Sequence, residues 1–165
     1  FQFTSPSLPP IPTHYYIYRD HCKANGLEDT DIEIIKNAKF PALIMGQFDH
    51  QNLPYEELDR NHQILVLPEI VANTSLAWRT TLIEELFNKI ELQPDIVIHI
   101  GGNMVNKQLK LQLQASKCCK VFRIEPGKDS PDTFCHLEKI IRNTNEKNQL
   151  LSELQKVTNK LNNNA

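Results

Sequence analysis

The chain has 165 residues, 40% of them hydrophobic and 23% charged, with a net charge of −2. That length fits one domain whose core is large enough to fold without disulfide staples. The near-neutral charge and an aromatic content of 7% exclude a broad basic footprint for nucleic acid or anionic membrane, and no apolar run reaches the ~20 residues of a membrane span.

Residues 1–20 read as a linker from a preceding domain. Pro6, Pro9, Pro10 and Pro12 punctuate the stretch, which lacks the charged and apolar regions of a signal peptide. The first residue is Phe and the only methionines are Met45 and Met104, so a piece of a longer protein is expected. Tyr15 to Tyr18 reads either as a short strand or as a docking segment. Thr30-Asp31-Ile32-Glu33 has the form of a capping box, which predicts a helix starting near Asp31.

Strand-like and helix-like stretches then alternate. The apolar runs Phe40 to Met45, Gln63 to Leu67, Asp95 to Ile100 and Cys119 to Ile124 are each closed by a turn signal and read as strands. Between them, Pro54 suits a first helical turn. Leu82, Ile83, Leu86, Phe87 and Ile90 form an amphipathic stripe. Val105, Leu109 and Leu113 repeat every four residues behind Asn103, which reads as an N-cap. The alternation predicts an α/β fold of βαβ units with a parallel sheet, over residues 21–142. A C-terminal helix is expected within residues 143–165, leading towards a following domain. Its stripe of Leu150, Leu154, Val157 and Leu161 is too short for an independent coiled coil. It reads as packing on the domain or, alternatively, as a self-association surface.

Residues that carry chemistry are sparse. Cys22, Cys118, Cys119 and Cys135 form no C-x-x-C pair and read as reduced, packed thiols, which implies a cytoplasmic setting. His99 reads as a packed or edge-facing residue of its strand, not a ligand. Asp49-His50 and Cys135-His136 have no second pair at metal-ligand spacing, so no metal site is expected. Ser75, Ser116 and Ser130 lack a nucleophile elbow.

In an open parallel sheet, ligands collect beyond the carboxyl ends of the strands. The richest loop there is IGGNMVNKQLK, whose candidate residues are Gly101, Gly102, Asn103 and Asn106. Two readings stand: an anion held on backbone N–H groups, or a tight strand-to-helix turn. The run matches neither G-x-G-x-x-G nor the Walker pattern. Lys107 opposes the dipole of the helix that follows. It is either a solvated Lys or a cation reaching over the sheet edge to a carboxylate or phosphate.

Residues 94–114, PDIVIHIGGNMVNKQLKLQLQ, resemble a segment of the thiamine-diphosphate-dependent 2-succinyl-5-enolpyruvyl-6-hydroxy-3-cyclohexene-1-carboxylate synthases, the MenD family of menaquinone biosynthesis. FPALIMGQFD (residues 40–49) and ILVLPEIVANTS (residues 64–75) fall in the family's order as two earlier strands with their loops. The resemblance covers roughly residues 10–142. It implies the middle domain of a three-domain transferase, a Rossmann-like parallel sheet of about six strands that carries no FAD. It implies a full-length enzyme that decarboxylates 2-oxoglutarate and adds the succinyl-semialdehyde carbanion equivalent to isochorismate. Thiamine diphosphate and Mg2+ are bound by the flanking domains, and the parent is a homodimer or homotetramer. The family's activating Glu and its Gly-Asp-Gly…Asn motif are not found here, so the fragment alone is expected to be inactive and to bind no cofactor. Lys107 sits at the Lys of the family's Ser-Lys-Arg-Leu tetrad, which points to the substrate. Gln108 replaces the Arg and Asn106 the Ser, and a neutral amide cannot make the bidentate charged contact of an Arg. The alternatives from other classes are a stand-alone Rossmann-like nucleotide-binding domain and a protein-interaction module.

Overall fold

The structure, a computed structural model, describes residues 23–24, 26–48, 55, 60, 64–76, 79, 85, 93–116, 119–125, 132–142, 155–157 and 159. The described elements are β1 (Lys23–Ala24), α1 (Asp29–Lys36), β2 (Pro41–Met45), β3 (Leu65–Pro68), β4 (Ile96–Ile100), α2 (Lys107–Ala115), β5 (Lys120–Glu125) and β6 (Leu137–Arg142). All strand pairs are parallel, in the order β1-β6-β5-β4-β2-β3. Five strands form the body of the sheet, and the two-residue β1 extends it beyond β6. From β2 the chain steps outward to β3, returns to the other side of β2 as β4, and continues outward through β5 and β6. This is a doubly wound order within a Rossmann-like α/β fold, with its topological switch point between β2 and β4.

Burial on both faces explains why the strands read as unbroken apolar runs instead of alternating ones. Every residue of β2 and β4 is buried. Leu43, Met45, Ile98, Ile100, Phe122 and Ile124 face one cluster, which α1 completes with Ile32 and Ile35. Ala42, Ile44, Val97 and Val121 face the other, which α2 completes with Leu109 and Leu113. Tyr55 and Val157, both helical, are buried in the α1-side cluster. Burial of Val157 in the chain's own core matches the packing reading of the C-terminal stripe; Leu150, Leu154 and Leu161 lie outside the described residues.

Several boundaries differ from the sequence reading. Helix α1 is present and starts at Asp29, two residues before the expected Asp31, with Glu28 and not Thr30 as its N-cap. Asp31 is instead the carboxylate that accepts from the Glu28 amide at 2.8 Å, and it also holds the Lys139 ammonium of β6 at 2.7 Å. Glu28 and Asp31 form the capping box reciprocally, each side chain accepting from the other's backbone amide, so the helix begins behind Glu28. Helix α2 is capped by Asn106, not Asn103, and Val105 lies outside it, 59% exposed. The periodicity placed Val105 on the stripe of Leu109 and Leu113, but the side chain of Asn106 accepts from the Leu109 amide at 2.9 Å and starts the helix after Val105. Strand β6 has no counterpart in the sequence reading. Its apolar residues Leu137, Ile140 and Ile141 are split by Glu138 and Lys139, and a register shift opposite Val121/Phe122 absorbs the irregularity. The linker in residues 1–20, Tyr15 to Tyr18, the Leu82–Ile90 stripe apart from the helical Glu85, and Cys22 and Cys118 lie outside the described residues.

Candidate functional site

Three loops meet at the carboxyl edge of the sheet, around the switch point. Gly46, after β2, donates its amide to the Ile100 carbonyl at 2.8 Å. Gln47 donates to the Asn103 carbonyl at 3.1 Å, and Gly102 donates back to the Gln47 carbonyl at 3.0 Å. The β2 and β4 loops are thereby stitched over the crevice between their strands. Two glycines make the stitching possible. A Cβ at Gly46 would stand 2.8 Å from the Gly102 carbonyl oxygen and 3.1 Å from His99 Nε2. Gly101 has φ +89°, in the left-handed region that side chains avoid.

The third loop enters through Glu69, at the end of β3. Its backbone amide donates to the Met45 carbonyl at 2.9 Å. Its carboxylate, on a residue 2% exposed, accepts from the Val105 amide at 3.2 Å and from the Asn106 amide at 3.1 Å. Asn106 in turn caps α2. Helix α2 has no acidic residue in its first turn, so Glu69 supplies from another strand the negative charge its N-terminus favours.

Lys107 and Gln108 occupy the first two positions of α2, and both are exposed at this edge. Asn103 is exposed and Gly102 half-buried, whereas Gly101 and Asn106 are buried. The candidates therefore divide. Lys107, Gln108 and Asn103 face outward, while Gly101 and Asn106 shape the loop. Ile70 and Val71, which follow Glu69, and Val105, whose amide Glu69 holds, present exposed apolar surface beside them; Ile70 is 66% exposed.

Beneath the Gly101 turn lies a buried polar group. Arg123 of β5 is 3% exposed and stands in register with His99 of β4, which is fully buried. The guanidinium donates to the Gly101 carbonyl at 3.3 Å and to the Thr133 hydroxyl at 3.1 Å, and approaches His99 Nδ1 at 3.4 Å. A guanidinium only donates, so the contact requires the lone pair on Nδ1 and places the ring proton on Nε2. His99 also packs edge-on against Phe134, with ring centroids 5.2 Å apart. It is a packed histidine, the first of the two readings its strand pattern left.

The sequence reading did not single out Glu69 or Arg123. Each was hidden in an apolar run, and the available signal was a charged residue where a strand buried on both faces should have none.

The loop's own amides bear on what it can hold. Those of Gly101, Gly102, Val105 and Asn106 all donate within the protein, the last two to a carboxylate. A phosphate cradle needs such donors free. The geometry is that of the tight-turn reading, with the lysine side chain as the outward cation. Among the described residues, no group of three side chains is arranged to hold a metal ion, and no helix is long and apolar enough to cross a membrane. Cys119 is buried and Cys135 exposed, and both are free thiols. Burial, reinforced by the Asp95 carboxylate, pushes the Cys119 thiol up to about 12, so it stays protonated and unreactive at neutral pH. No protein-family model matches the chain, and no curated protein matches its sequence.

Proposed function

We propose that this chain is the middle domain of a thiamine-diphosphate-dependent synthase of menaquinone biosynthesis, and that Lys107 binds a substrate carboxylate there. The observation that carries the reading is the position of Lys107: exposed, first in α2, on the carboxyl edge of a doubly wound sheet beside its switch point. The resemblance of residues 94–114 to the family's strand, loop and tetrad supplies the identity of the reaction. In this proposal the complete enzyme decarboxylates 2-oxoglutarate and joins the product to isochorismate. Flanking domains hold thiamine diphosphate and Mg2+, the parent is a cytoplasmic homo-oligomer, and the fragment alone is inactive. The exposed apolar side chains of Ile70, Val71 and Val105 suit the carbon skeleton of such an acid. Gln108, exposed beside Lys107, offers a neutral amide as a second contact.

In the complete enzyme, Lys107→Ala is expected to lower kcat/KM by about 10–100-fold, the loss of one charged hydrogen bond. An unchanged value refutes the role. The nucleotide-binding alternative predicts heat when this chain is titrated with FAD or NAD. The internally bonded turn leads us to expect none.

A further inference from the structure

Lys107 is the first residue of α2, directly behind a short loop, and an exposed lysine at a helix start has little intrinsic order. One buried group ties that loop to the sheet. Glu69 is 36 and 37 residues away in sequence from Val105 and Asn106, yet its carboxylate accepts from both of their amides. It is itself fixed at both sides of its own backbone. Its amide donates to Met45 at the end of β2, and its carbonyl accepts from the Ala72 amide at 2.9 Å. Asn106 passes the constraint on, because its side chain caps the helix whose first residue is Lys107. A continuous path of hydrogen bonds therefore runs from the ends of β2 and β3, through Glu69, to the backbone that carries the lysine.

We propose that Glu69 is a positioning residue that sets the place of Lys107 over the sheet edge. This rests on the proposed role of Lys107. The two bonds fix the backbone ahead of α2 and with it the place where the lysine's helix starts. The carboxylate also occupies two backbone amides of the loop. The ammonium of Lys107 is thereby held where a substrate carboxylate can meet it.

The test is a double-mutant cycle in the complete enzyme, paired with hydrogen exchange on this chain. Glu69→Ala is expected to raise KM for the carboxylate substrate about tenfold and to change kcat by less than about twofold. Combined with Lys107→Ala it is expected to add almost nothing, because Glu69 acts through the lysine. In the chain, Glu69→Ala is expected to speed exchange at the Val105 and Asn106 amides about tenfold or more while the β4 amides remain slow. If Glu69→Ala does not fold, Glu69→Gln keeps the size, removes the charge and is read in the same way, with an effect of about threefold. Additive losses in the cycle, or unchanged exchange at both amides, overturn the proposal. If Lys107→Ala itself leaves kcat/KM unchanged, the reading of Lys107 fails and takes the positioning role with it. If Lys107→Ala is impaired and the Glu69 variants are not, the positioning role fails alone.

Discussion

At the amino end of the sheet, the Asp95 carboxylate accepts from the Lys39 amide at 2.7 Å and from the Phe40 amide at 2.9 Å. At the carboxyl end, the Glu69 carboxylate accepts from the Val105 and Asn106 amides. The device is the same, one acid side chain gathering two backbone N–H groups from a distant segment. The settings differ. Asp95 is half-buried where β2 begins, and its bonds align β2 with β4. Glu69 is buried beneath a loop that carries an exposed lysine and exposed apolar side chains. The Asp of the recognisable PDIVIHI stretch is thus a strand clamp, while the acid of the less conspicuous LPEIV stretch lies under the candidate site. A conspicuous motif and a functional position need not coincide, and burial beside the strand termini separates them.

The largest expected effect comes from removing each acid in turn. Glu69→Ala leaves one buried and one half-buried amide unmet and is expected to cost about 3 kcal/mol, whereas Asp95→Ala leaves one half-buried and one exposed amide and is expected to cost about 1–2 kcal/mol. Urea midpoints of the two variants check the ranking, and equal losses break the comparison. Next is the turn itself. Gly101→Ala forces a side chain into the left-handed region, with its Cβ 2.9 Å from Phe48 Cβ, and is expected to cost about 2 kcal/mol. Gly102→Ala meets nothing closer than 3.5 Å. It is expected to fall within about 0.5 kcal/mol of the parent in the same urea series. A third contrast separates stability from function. Lys107→Ala is expected to change stability by less than about 0.5 kcal/mol despite its large predicted effect on kcat/KM. A larger loss by thermal melting makes Lys107 structural.

The smallest effect is on pH dependence, and it belongs to neither end. Burial pushes the Cys119 thiol and the Tyr55 phenol above their ordinary values of 9.0 and 10.0. Burial alone lowers the Lys139 ammonium, but hydrogen bonds to Asp31 and Glu28 outweigh it and leave a net rise above 10.5. All three groups keep protons in the native state that the unfolded chain releases. Their favourable contribution is complete below those ordinary values and is lost as pH rises above about 9. Melting temperatures measured from pH 7 to 11 are expected to decline only over the alkaline part. A decline beginning below pH 8 assigns the effect to other groups.

Much of the fold was legible along the chain. Ala42 to Met45 and Ile96 to Ile100 are apolar without interruption, which only a strand covered on both faces tolerates, and the structure buries all of β2 and β4. Strand β6 was not legible, because Glu138 and Lys139 interrupt it and Lys139 finds its partners on α1. The candidate site was half legible. Lys107 and the glycine turn are local in sequence. Glu69 and Arg123 act on residues 10 to 37 positions away, and no local pattern records such a partnership.

The sequence by itself determined the alternation of strands and helices, the parallel sheet and the turn at Gly101. These follow from periodicity, turn chemistry and the absence of a Cβ, which act over a few residues. Only the tertiary structure decided which acid caps which loop, where α2 begins and which charges are buried. Those outcomes depend on competition among distant donors and acceptors for the same space, and burial makes each unmet hydrogen bond costly enough to choose one winner.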